Sequence, residues 1–81
     1  MGYKLLFEQN FKDEWDALDK SVKLIAKKVV RKIGEKPECA KRLTGFSNRF
    51  RARFLNYRII YYIEGDSIIF VSISKRARAY R

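Results

Sequence analysis

The spacing of apolar residues changes once along this chain, and the change divides it into two halves. Residues 3–7, YKLLF, are rich in Tyr, Leu and Phe and alternate weakly, which predicts a first strand. Phe11, Trp15 and Leu18 then recur at i, i+4 and i+7 and predict one face of a helix, with Asp13, Glu14 and Asp16 on its opposite side. Val22, Ile25, Val29 and Ile33 form the stripe of a second helix, with Asp19 or Ser21 as its N-cap. Gly34 is the expected stop, with Pro37 shortly after. Lys23, Lys27, Lys28, Arg31 and Lys32 cover the rest of that helix, a pattern that suits a solvated face whose lysine stems shield the core.

From Arg49 onward the period is two. In RFRARF, residues 49–54, Arg49, Arg51 and Arg53 point one way and Phe50, Ala52 and Phe54 the other. YRIIYYI, residues 57–63, alternates in the same manner, and Leu55-Asn56 reads as a two-residue hairpin turn because Asn tolerates positive φ. That turn sets Phe54 opposite Tyr57 and Arg53 opposite Arg58. One face then holds Phe50, Ala52, Phe54, Tyr57, Ile59, Tyr61 and Ile63, and the other gathers Arg49, Arg51, Arg53 and Arg58. A last strand, SIIFVSIS (67–74), follows a turn at Glu64-Gly65-Asp66. A three-residue loop there would put Ile69, Val71 and Ile73 on the core face and Ser72 and Ser74 beside the arginines; a two-residue loop would reverse this. The expected fold is α+β: two N-terminal helices packed on one face of a mostly antiparallel four-stranded sheet, one domain spanning 1–81.

Charge sharpens this picture. The net charge is +10, from 19 Lys and Arg against 9 Asp and Glu, a field that favours polyanions. Residues 49–81 carry eight of those cations and only two acids, Glu64 and Asp66. Before Lys75 every cation in that half is arginine, whose planar fork suits bidentate phosphate binding. The chain closes on SKRARAYR (74–81), where Lys75, Arg76, Arg78 and Arg81 surround Tyr80.

The absences exclude several chemistries. There is no histidine, and Cys39 is the single cysteine, so the chain holds neither a zinc set nor Ser-His or Cys-His nucleophilic machinery. One unpaired thiol fits a reducing cytoplasm. The apolar runs are too short for a membrane span, and the N-terminus does not read as a signal peptide. Neither a metal nor another cofactor is expected.

Arginine-alternating strands are also what the wet side of a two-layer sandwich looks like. However, like charges directly opposite each other destabilise a hairpin by some tenths of a kcal/mol, and no nearby carboxylate offsets them. Places that break a local rule in this way tend to be functional. An anion would resolve the conflict, most simply an RNA phosphate.

RLTGF (42–46), FRARFLNYRIIYYI (50–63) and SKRARAYR together resemble the RelE/ParE superfamily of type II toxins, and most closely its RelE branch. The shared features are a Leu-x-Gly turn (Leu43, Gly45), a basic alternating strand (Arg51, Arg53) and a Tyr-Arg pair opening the next strand (Tyr57, Arg58). The resemblance covers essentially the whole chain. It implies a cytoplasmic toxin, a ribosome-dependent mRNA endonuclease acting in the A site, inhibited by a RelB-type antitoxin. By position it implies Arg51, Arg53, Arg58, Arg76 and Tyr80 as catalytic residues. Arg49, Lys75, Arg78 and Arg81 are expected to bind RNA beside them. Several members of the family carry lysines where this chain has Arg51 and Arg53. Arginine does not give up its proton, so charge stabilisation carries over but acid–base work at those two positions does not.

RNA supplies its own nucleophile, the 2′-OH, so cleavage needs a base and cations around the phosphorane but no metal. The arginines can hold the charge that grows in the transition state. Tyr80 is the proton-transfer candidate of the tail, where neighbouring cations favour its phenolate. Two other readings stay open: a ParE-like toxin of the same fold that poisons DNA gyrase, and a non-catalytic RNA-binding module. The second would show exposed aromatics beside its cations, and Tyr62 is the one aromatic expected on the arginine face.

Overall fold

The computed structural model describes residues 2–42 and 48–75. The elements run β1 (Lys4–Phe7), α1 (Gln9–Asp16), α2 (Lys20–Glu35), a 3₁₀ turn (Pro37–Cys39), β2 (Lys41–Arg42), β3 (Arg49–Phe54), β4 (Tyr57–Glu64) and β5 (Ser67–Lys75). Two helices pack on one side of an open sheet ordered β1-β5-β4-β3-β2. Four strands make up its body, and the two-residue β2 lies at the edge against Phe50 and Arg51. β1 runs parallel to β5 and every other pairing is antiparallel. The expected α+β architecture is therefore the observed one.

The core is where the two periodicities meet. From the sheet come Phe50, Phe54, Ile59, Tyr61, Ile68, Phe70 and Ile73, and from the helices Phe11, Ala26 and Ile33. Phe70 is fully buried and central: its ring lies 5.0 Å from that of Phe7, 5.5 Å from Phe11 and 5.7 Å from Tyr61. Ring pairs at such spacings add attraction beyond the area they bury. The Tyr61 hydroxyl donates to the Pro37 carbonyl, so the buried phenol is satisfied and the end of the helical layer is tied to the sheet.

Helix α2 departs from its predicted stripe. Ala26, rather than Ile25, is the buried residue, and Ile25 is exposed. Val22, Ala26, Val29, Val30 and Ile33 make the inner face, with a small residue where the helix is completely enclosed. Asp19 sits at the N-cap position with extended backbone, but its side chain makes no capping hydrogen bond. Gly34 does not end the helix. The helix runs on to Glu35, and the Lys36 N–H still reaches the Lys32 carbonyl at 3.0 Å. Gly34 instead lies under β1, where a Cβ would come within 3.5 Å of the Leu5 side chain.

The β3–β4 hairpin has the predicted register, with Phe54 opposite Tyr57 and Arg53 opposite Arg58. Its turn differs in one detail: Leu55, not Asn56, takes the left-handed conformation, with φ 51°. The β4–β5 connection differs more. Glu64 pairs with Ser67, so the loop has two residues, and Gly65 supplies the left-handed backbone at φ 62°. Near the turn this puts Ile68 and Phe70 on the core side, in place of the expected Ile69 and Val71. Between Ile60 and Tyr61 the register then shifts: Tyr61 pairs with Phe70, whereas Ile60 pairs with Ser72. Val71 is the extra residue of a β-bulge. Beyond it Ile73 faces the core, and Ser72 and Ser74 share the face of Arg58, as the sequence predicted by a different route.

Candidate nucleic-acid interface

The face of the sheet turned away from the helices collects the arginines. β3 contributes Arg49, Arg51 and Arg53, and their partners across the ladder are Tyr62, Ile60 and Arg58. None of these partners is an acid. Successive same-face residues stand about 6.6 Å apart along a strand, and directly opposite ones have Cβ atoms about 5 Å apart. Four guanidinium groups thus start from one patch of backbone. Ser72 and Ser74 of β5, opposite Ile60 and Arg58, border it on the far side.

The arginine stems lie against the sheet. Nε of Arg51 and both Nε and Nη2 of Arg58 are shielded from solvent, whereas Arg53 is exposed. The Arg49 guanidinium stacks over the Tyr62 ring, 4.9 Å from its centroid, a cation–π contact that holds one cation at the edge of the patch. Ile60 and Tyr62 make the floor semi-apolar. In such surroundings charges are less screened than in bulk water, so an arriving phosphate gains more from each cation.

The patch continues around the β3 edge. Among the described residues β2 pairs with Phe50 and Arg51, and beside it an open hollow of about 450 Å³ is bordered by Arg51, Arg53 and Lys32, with Val29, Ile33, Ala40 and Ala52 behind them. Its three charged walls are all cationic. Lys32, which sequence reasoning placed on a merely solvated helix face, is therefore next to the predicted site.

A second concavity lies on the other side of the molecule. Leu5, Phe7, Phe11, Trp15 and Val30 line an open groove of about 590 Å³, with Lys12, Lys27, Arg31 and Asp16 at its rim. Leu5, Leu6 and Phe7 of the edge strand β1 are exposed beside it.

Of the predicted site residues, Arg49, Arg51, Arg53 and Arg58 are brought together. Lys75, expected beside the arginines, is exposed at the end of β5 opposite Tyr57, so it starts from the helix side of the sheet and is not brought together with them. Arg76, Arg78, Tyr80 and Arg81 lie outside the described residues, as do Leu43 and Gly45. Two residues that hold the β5 backbone from the helix side were missed. Glu14, expected among the solvent-facing acids of α1, accepts a hydrogen bond from the Ile73 N–H at 2.9 Å, and the Asn10 amide donates to the Val71 carbonyl at 3.1 Å. Their i, i+4 spacing beside the buried Phe11 was the available signal. Among the described residues no cluster of three potential metal ligands occurs, and no helix is long and apolar enough to cross a membrane.

The sequence pattern of the ParE toxin of type II toxin–antitoxin systems, parDE, matches residues 3–80. The chain belongs to this toxin family. The RelE/ParE membership implied by the sequence motifs is thus borne out, and the solved structures it resembles include RelE toxins. The RelBE toxin–antitoxin complex of E. coli aligns with a TM-score of 0.80 at 25% identity, over 90% of this chain and 95% of that one. The RelB–RelE complex of Methanococcus jannaschii aligns with a TM-score of 0.78 at 24% identity, over 93% and 94% of the two chains. The archaeal RelE–RelB complex of Pyrococcus horikoshii gives 0.82 at 20%, over 96% and 99%. The last two likenesses, under 25% identical, speak to the fold alone. No curated protein sequence matches the chain.

Proposed function

We propose that this toxin is a ribosome-dependent mRNA endonuclease that cleaves in the A site, with the arginine face as its phosphate site. The observation that carries the reading is Arg53 directly opposite Arg58, with Arg49 and Arg51 on the same side and with Arg51, Arg53 and Lys32 as the charged residues of the adjoining hollow. Such an arrangement concentrates positive charge on one face, where an anion gains from several cations at once.

In the reaction the RNA 2′-oxygen attacks the adjacent phosphorus, the bond to the 5′-oxygen breaks, and a 2′,3′-cyclic phosphate remains. The 2′-OH proton passes to a base, for which Tyr80 as phenolate is the candidate, and the leaving 5′-oxygen takes a proton from water. Arg51, Arg53 and Arg58, with Arg76, hold the charge that builds on the phosphorane oxygens. Arg49, Arg78 and Arg81 bind the flanking RNA backbone. No metal takes part. The antagonist is a RelB-type antitoxin with acidic character, and the apolar groove with its mostly cationic rim suits an amphipathic acidic segment.

The test replaces Arg58 and Tyr80 separately and follows mRNA cleavage on programmed ribosomes. Loss of about 10²-fold or more in rate for each variant is expected. Full activity in both removes the assignment. The match to the ParE pattern favours a second reading, a toxin of the same fold that acts on DNA gyrase. Induced expression separates the two: cleaved mRNA marks the nuclease, and supercoiling damage with intact mRNA marks the gyrase poison.

A further inference from the structure

We propose that Glu14 is a positioning residue for the arginine face, acting through the backbone of β5. The proposal rests on the phosphate-site reading above for its effect on cleavage, but not for its structural half.

β5 leaves its turn in one register and reaches Arg58 in another. From Glu64 opposite Ser67 the pairing runs to Tyr61 opposite Phe70. Continued without interruption, it would set Ile60 opposite Val71, Arg58 opposite Ile73 and Tyr57 opposite Ser74. The observed pairing is Arg58 with Ser74 and Ile59 with Ile73. A one-residue slip turns every side chain to the other face. The uninterrupted strand would therefore lift Ile73, 2% exposed, out of the core onto the arginine face and push Ser72 and Ser74 inward.

A bulge disturbs the local ladder and leaves backbone groups that need other partners. Helix α1 provides them. The Ile73 N–H donates to Glu14 Oε1 at 2.9 Å, and Asn10 Nδ2 donates to the Val71 carbonyl at 3.1 Å. Asn10 Nδ2 also lies 3.3 Å from the same Glu14 oxygen, which links the two side chains into one clamp. The bond to the carboxylate is charge-assisted and stronger than a neutral one. Helix α1 thus holds the extra residue in place, and the strand reaches Ser74 beside Arg58.

The experiment compares Glu14→Ala, Glu14→Gln and Asn10→Ala with the wild-type chain. Gln keeps a carbonyl oxygen where the carboxylate was, so it retains the acceptor and should restore what Ala loses. For Glu14→Ala, exchange of the Ile73 amide should rise about tenfold or more while that of Ile59 changes little. Cross-strand nuclear Overhauser contacts between Arg58 and Ser74 should weaken or vanish. The turnover number for RNA cleavage should fall about tenfold or more, with KM within about twofold, because the phosphate-binding cations remain. Asn10→Ala should show the same pattern more weakly.

Retained Arg58–Ser74 contacts and Ile73 protection in Glu14→Ala overturn the proposal. So does a Gln variant as impaired as the Ala variant, or a lost register with unchanged turnover. A wild-type chain that cleaves no RNA sinks the nuclease reading instead, and the exchange and cross-strand data then decide by themselves whether Glu14 sets the register.

Discussion

Arg53 and Arg58 occupy directly opposite positions on β3 and β4, on the side of the sheet away from the helices. Two like charges so placed give an anion two cations at once. The same substitution should therefore weigh on activity far more than on stability. Arg53→Gln is expected to change unfolding free energy by about 1 kcal/mol or less, since Arg53 is exposed and loses little packing. Its cleavage rate should fall at least about tenfold. Urea denaturation and a ribosome-programmed cleavage assay measure the two. Equal losses in both would mean that the arginine is structural.

Arg49 sits at the edge of the patch, stacked on Tyr62. On the proposed reading it binds a flanking phosphate rather than the scissile one. Arg49→Gln should weaken RNA binding and reduce the steepness of its salt dependence by about 0.7 in log K against log salt, the contribution of one contact on single-stranded nucleic acid. Turnover at saturating RNA should be nearly unchanged. Binding titrations at several salt concentrations check this.

The Tyr61 hydroxyl is buried and bonded to the Pro37 carbonyl, on the face opposite the arginines. Tyr61→Phe removes the donor and leaves a buried carbonyl without it, at a cost of about 1–2 kcal/mol. Cleavage at 25 °C should stay near wild type. A large loss of activity with an intact fold would show that the two faces are coupled. The contrasting case is Phe70→Ala, which empties the aromatic centre of the core and should cost about 3–5 kcal/mol, enough to unfold much of so small a domain.

Leu55 holds a left-handed backbone with φ 51° while its side chain is 60% exposed. It bears the strain of the turn without contributing to the core. Leu55→Asn should stabilise the protein by about 1 kcal/mol, because Asn adopts this conformation more readily and little burial is given up. Thermal unfolding measures the gain, and a lower melting temperature would refute the account.

Much of the hairpin was legible because its information is local. Two residues between two alternating runs leave one pairing that buries Phe50, Phe54, Ile59 and Tyr61 together, and that pairing puts the arginines on the other side. Helix α2 was legible in its extent but not in its closest contact. Ile25 and Ala26 are both apolar, and only the distance between helix and sheet decides that the smaller one is enclosed. Gly34 read as a stop because glycine often ends helices. Its place here, inside the helix and under Leu5, depends on a strand thirty residues earlier in the chain.

The sequence by itself determined the chemistry on offer: a surplus of arginine, no histidine, and one tyrosine in a basic tail. It also determined which strand faces carry that chemistry in the hairpin, because a period of two admits only two faces and only one of them is apolar. The tertiary structure decided what β5 brings to the site. An unbroken alternation cannot place both Phe70 and Ile73 in the core, so one residue had to be set aside. The choice of Val71 depended on Asn10 and Glu14 lying above it, sixty residues away in the chain and visible only once the helix is packed on the sheet.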